Sequence, residues 1–104
     1  MVKVSIVSSS SRITGVTQAL ELIDPEVVIP DKPVMVKPNF VTTSNQLAAT
    51  HVDATRATLD YLSGKGVSQF LIAVGPAIGT PDSGFENYGY RALSNDFKIE
   101  FMDL

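Results

Sequence analysis

The sequence predicts an α/β fold: a βαβαβαβ chain in two or three layers, built on a four-stranded, mainly parallel sheet. Short apolar or alternating runs recur at residues 2–7, 34–36, 70–74 and 99–102. Apolar residues at helical spacing occupy the stretches between them. Gly, Pro and polar clusters mark each change of period. Strands that alternate with helices imply parallel pairing through right-handed crossovers. The 104 residues fit a single domain, 1–104.

Residues 2–7 alternate, with Val2, Val4 and Ile6 on one face and Lys3, Ser5 and Val7 on the other. That pattern suits a strand with one wetter face, at a sheet edge. A polar loop at 8–12 leads to a helix over 14–23, where Val16, Leu20 and Ile23 share a side and Asp24-Pro25 stops it. The second strand is Val34-Met35-Val36. Residues 39–49 read as a polar, flexible loop. Thr50-His51-Val52-Asp53 has a capping-box spacing, with Thr50 as the cap of a helix that runs to about Ser63. Gly64-Lys65-Gly66 ends it.

Phe70-Leu71-Ile72-Ala73-Val74 is apolar throughout, as expected of a central parallel strand covered on both faces. A Gly- and Pro-containing loop at 75–81 follows. Ser83 and Glu86 have capping-box spacing and place a third helix start near Ser83. Gly89 breaks that helix, 90–95 forms a separate turn, and 99–102 is the fourth strand. Two strand orders compete. The flavodoxin-like order 2-1-3-4 is the common one. Order 1-2-3-4 suits the edge-like first and fourth strands better, and would leave one sheet face without helices.

Composition excludes several function classes. The net charge is −3 and no basic run occurs, which argues against nucleic-acid binding. No apolar run approaches the roughly 20 residues that span a bilayer, and no signal-peptide pattern opens the sequence, so the expected location is the cytoplasm. There is no cysteine, hence no disulfide, thiolate metal site or cysteine-ligated iron–sulfur cluster in this chain. Charged residues make up only 18%, below the usual level of about 25%, which suggests apolar surface that awaits a partner or a further segment.

Parallel strands bring their carboxyl ends to one rim, where residues 8–12, 37–39, 75–80 and Asp103 should meet. There Lys37-Pro38-Asn39 ends the second strand with chemistry the strand does not need: a cation, then an amide with donor and acceptor. Lys37 is a candidate anion ligand or base, against the plain reading of a solvated lysine. Asn39 is a candidate for orienting a ligand, or a turn residue bonded to its own backbone. His51, the one histidine, is a candidate acid–base group, or a helix-start residue with a local hydrogen bond. Gly75, Gly79 and Thr80 belong to a loop that could hold an anion with backbone N–H groups, or form an ordinary turn. Its spacing matches neither a Walker A loop nor a dinucleotide fingerprint. Residues 8–12, four serines and Arg12, are a second anion cradle or a serine loop. Phe85, Tyr88 and Tyr90 either stack on a planar cofactor or fill the core. No metal site is expected, and which cofactor, if any, is held stays open.

Several segments in order resemble a known family: Val34-Met35-Val36-Lys37-Pro38-Asn39-Phe40-Val41, then Ala49-Thr50-His51 before a helix, and Ile72-Ala73-Val74-Gly75-Pro76. Phe85-Glu86-Asn87-Tyr88-Gly89-Tyr90-Arg91-Ala92-Leu93 and the final Glu100-Phe101-Met102-Asp103-Leu104 complete the set. Together they resemble the amino-terminal half of the domain of unknown function 362 family. The resemblance implies a longer domain of which this is the first part. It also implies association with ferredoxin-like modules and anaerobic redox metabolism, and it puts weight on Lys37, Asn39, Thr50 and His51. The expected partners are a small anionic ligand, a carboxyl-terminal half, a ferredoxin-like module or a second copy. Neither nucleic acid nor membrane is expected. The competing reading is a non-catalytic interaction module or an inactive fragment.

Overall fold

The computed structural model describes residues 2–104. Helix α1 (Arg12–Leu22) is capped by Ser11, whose Oγ accepts the Thr14 N–H at 3.2 Å. It buries no residue completely and packs along helix α2 (Val52–Gly64). Pro25 cannot continue α1, and the chain tightens into a single 3₁₀ turn at Asp24–Glu26.

Strand β1 (Val34–Val36) pairs in parallel with β2 (Phe70–Val74), which pairs in parallel with β3 (Ile99–Asp103). The register aligns Val34, Phe70 and Ile99, then Val36, Ile72 and Phe101. The strands follow chain order, so the flavodoxin-like alternative does not hold for these three. Adjacent parallel strands joined by right-handed crossovers carry their helices on one side. Leu59 of α2 and Phe85 of helix α3 (Pro81–Asn87) accordingly meet Phe70, Ile72 and Val74 in one core. On the opposite face no helix covers Met35, Leu71 and Met102, and Met35 is 48% exposed.

The sheet has three strands where the sequence predicts four. Residues 2–7 form no strand, and Val2, Val4 and Ile6 stand 91%, 82% and 89% exposed. Alternation encodes a capacity to pair, but pairing requires a neighbouring edge. Here the segment is held instead beside α1, by the Ser5 hydroxyl donating to Ala19 O at 2.7 Å and by a Lys3–Glu26 ion pair at 3.0 Å.

All three helix starts differ from expectation, α1 beginning at Arg12 where the pattern suggests residue 14. The cap of α2 is His51, not Thr50. Helix α3 begins at Pro81 rather than Ser83, with Thr80 as cap and Ser83 completing a reciprocal box. Pro81 suits the first helical position because its missing N–H would have no partner there. Gly89, in the left-handed region at φ 75°, then admits the 3₁₀ segment Tyr90–Asn95.

Phe40, just past β1, is the hub of the aromatic core. Its ring meets Phe85, Tyr88 and Tyr90 edge-on at centroid distances of 6.0, 5.0 and 5.1 Å. All four rings are buried, so Phe85, Tyr88 and Tyr90 are core residues, not a stacking platform.

Candidate functional site

Lys37-Pro38-Asn39 leaves β1 with Pro38 buried and its two neighbours exposed. Beyond it the chain returns on itself. The Asn39 N–H donates to Thr50 Oγ1 at 2.9 Å, and the Thr50 N–H donates to Asn39 O at 2.8 Å. Phe40 and Ala49 form an antiparallel bridge inside this clip. Residues 39–50 are therefore a closed loop, not a loose one. From α3 and its end, Asn87 Nδ2 donates to Thr43 O at 2.8 Å, and Ser83 Oγ donates to Thr43 Oγ1 at 2.9 Å. The buried Tyr88 hydroxyl donates to Thr42 O and accepts the Asn45 N–H at 3.1 Å.

Between β1, α1 and α2 this arrangement leaves a cleft of about 220 Å³. Lys37 and Pro38 form its rim with Thr50, and Thr55 and Thr58 line it from α2. Val16 of α1 and Ala54 supply apolar wall. Below, the Tyr90 hydroxyl donates to Thr50 O at 2.8 Å and meets Thr55 Oγ1 at 2.9 Å. Burial pushes the Tyr90 phenol up to about 12, so it stays a neutral donor that fixes two residues of the cleft.

The Thr50 hydroxyl accepts the Asn39 amide, and its own proton has no acceptor among the described residues. Lys37 has no carboxylate within ion-pair distance among those residues. By contrast Lys3, Arg56, Lys65 and Arg91 are paired with Glu26, Asp96, Asp24 and Asp82. The cleft thus offers a cation and a hydroxyl donor over a partly apolar floor.

The other expected residues are placed differently. His51 does not line this cleft. Its Nδ1 accepts the Asp53 N–H at 3.1 Å as the cap of α2, which leaves the ring proton on Nε2. Gly75 is exposed, and a Cβ there would make only ordinary contact with Leu104. Gly79 has φ 95°, and a Cβ there would lie 1.9 Å from Thr43 Oγ1. That glycine is explained by close packing against the 39–50 loop. Thr80 Oγ1 accepts the Ser83 N–H at 3.2 Å.

Loop amides at 77, 78 and 80 are turned inward as well. Ala77 and Ile78 donate to Val41 O at 3.1 and 3.2 Å, and Thr80 donates to Ser83 Oγ at 3.3 Å. Thr80 lines a separate cleft with Asp103, Phe85 and Phe101. The expected single rim is therefore divided. Lys37 and Thr50 share one cleft. Ser9, Ser10, Ser11 and Arg12 line an adjoining one that also touches Val16 and Ala54, and Thr80 and Asp103 stand apart.

Thr55 and Thr58 are not legible as site residues: their only sequence signal is a run of small side chains on one side of α2, which reads equally well as helix packing. Tyr90 is expected as a stacking or core residue, and its hydroxyl bonds to Thr50 and Thr55 join residues too distant in sequence for a local pattern to show. Another cleft, of about 480 Å³, lies along α1 and α2 around Asp24, Tyr61 and Lys65. Tyr61 and Lys65 both donate to Asp24, holding its carboxyl below the usual range, with Lys65 the larger cause. These polar groups satisfy one another and tie the end of α1 to α2. Among the described residues no group of three His, Asp or Glu side chains is placed to hold a metal, and no helix is long and apolar enough to cross a membrane.

The model of one protein family, Domain of unknown function (DUF362), matches residues 34–104. No curated protein and no solved structure matches the chain. The matched stretch begins at β1 and contains Lys37, Asn39, Thr50 and His51, along with Thr55, Thr58 and Tyr90 beneath the cleft.

Proposed function

We propose, from the premise that the chain belongs to the DUF362 family, that it binds a small anionic ligand through a phosphate or carboxylate group at the carboxyl end of β1. Lys37 supplies the charge and the Thr50 hydroxyl a hydrogen bond. Asn39 and Tyr90 hold Thr50 in place through its hydroxyl oxygen and its carbonyl. The observation that carries this reading is the position of Lys37, a cation without a carboxylate partner among the described residues, at the mouth of a cleft lined by threonines. Open α/β sheets hold ligands outside the carboxyl ends of their strands. His51 caps α2 through Nδ1 and does not line the cleft, so it takes no part in the binding proposed here.

Titration of the protein with inorganic phosphate and with acetate, followed by calorimetry, tests the proposal. A charge-assisted hydrogen bond contributes about 1.5–3 kcal/mol, so Lys37→Ala should weaken binding roughly ten- to a hundredfold. Lys98, a cation at the amino-terminal end of β3, is the control: Lys98→Ala should bind as the parent does. Equal affinity in the parent and Lys37→Ala, or no saturable binding of either anion, overturns the proposal.

A further inference from the structure

We propose that residues 2–7 close onto the open edge of β1 as a fourth parallel strand. The segment is the most exposed apolar stretch of the molecule, with Val2, Val4 and Ile6 between 82% and 91% accessible. No backbone hydrogen bond joins it to another described residue. β1 is an edge strand with one free side. Val34 donates to Gln69 O on the β2 side, so by alternation Met35 turns its N–H and C=O outward to the free edge.

Chain geometry favours the chain's own segment as occupant. Val7 borders the same Val16 and Ala54 that flank Val36 and Lys37, so the carboxyl end of the segment already lies near the carboxyl end of β1. That is the polarity a parallel neighbour needs. α1 would be the crossover, and it already packs beside α2, in the layer a right-handed connection requires.

Side-chain parity fixes the register. Ser5 opposite Met35 sets the Val4 C=O and the Ile6 N–H against the free Met35 groups. It also puts Val4 and Ile6 beside Val34 and Val36 on the core face and turns Ser5 to the helix-free face, so closure exchanges the Ser5–Ala19 bond for the ladder. A slip of one residue would turn both apolar side chains to the uncovered face. In this register Val7 lies beside Lys37.

The chain has no cysteine, so an engineered pair reports cleanly. Val4→Cys with Val34→Cys, oxidised at low protein concentration, should give an intrachain disulfide. It should form at least about tenfold faster than in Val4→Cys with Met35→Cys, whose Cβ atoms would point to opposite faces. Interchain disulfides as the main product would assign the edge to a second copy and overturn the proposal. Equal rates in the two pairs would overturn it too. Should Val34→Cys fail to fold, hydrogen exchange on the unaltered chain decides. Amides of residues 4 and 6 slowed about tenfold or more against an unstructured chain support closure, and unprotected amides refute it.

Discussion

Gly79 separates two reasons for a glycine. Its φ of 95° strains any other residue, and Thr43 occupies the space a Cβ would need. Gly66 has a similar φ of 101° but open space around it. Backbone strain alone costs about 1–3 kcal/mol. Gly66→Ala should stay in that range, whereas Gly79→Ala should exceed it and loosen the 39–50 loop, as measured by urea denaturation. Equal losses would show that Thr43 moves aside freely. Tyr90 and Tyr61 carry the alkaline behaviour of single residues. Burial raises Tyr90 to about 12, and the hydrogen bond to Asp24 raises Tyr61 to about 12, both from 10.0. Each favours the folded state fully below pH 10, and the contribution fades as pH rises from there through 12. Stability should therefore fall across that window. Tyr90→Phe should be less stable at pH 7, through the lost bonds to Thr50 and Thr55, yet fall less steeply above pH 10. An unchanged slope would mean that the phenol is not buried as described. Asp24 works in the opposite sense: its lowered value gives stability that is lost as pH falls through it.

Among the elements, the 39–50 loop shows best what sequence does and does not disclose. Its composition of Thr, Ser, Asn and Gln reads as flexible. It is nonetheless clipped at its base by Asn39 and Thr50, and its body is bonded to Ser83, Asn87 and Tyr88. Those partners lie 40 or more residues away, beyond any local pattern. Tyr88→Phe removes only the hydroxyl that holds Thr42 and Asn45. A loss of about 1–3 kcal/mol is expected, since buried backbone groups lose their partner. Proteolysis near Leu47, 97% exposed at the loop tip, should accelerate. Unchanged cleavage would show that the base clip alone orders the loop. The strands at 34–36, 70–74 and 99–103 were legible because each apolar run is bounded by Pro, Gly or charge. Helix ends were less so: Thr50 and His51 compete for one cap, and Thr50 Oγ1 is taken up by the Asn39 amide while His51 Nδ1 accepts the Asp53 N–H. Residues 2–7 carry a strand pattern without a formed strand, because periodicity records which faces can be buried and not whether a neighbour is present.

Over the whole molecule, sequential parallel order puts every packed helix on one side of the sheet and all strand carboxyl ends at one rim. That much follows from the alternation of strands and helices. What alternation does not convey is that tight packing of Phe40 and Thr43 against α3 splits this rim, separating Lys37 from Thr80 and Asp103. A ligand that binds only the folded state stabilises it by an amount set by its concentration over its dissociation constant, about 2.7 kcal/mol at a hundredfold excess. In a domain of about 100 residues each kcal/mol raises the melting temperature by roughly 4–8 °C, so saturating phosphate should add about 10 °C or more. Phosphate also stabilises proteins generally, through exclusion from their surfaces. Only the part of the shift that Lys37→Ala abolishes and Lys98→Ala retains reports the cleft. If all three proteins rise equally with phosphate, the effect is one of solvent exclusion, and the carboxyl end of β1 holds no anion site.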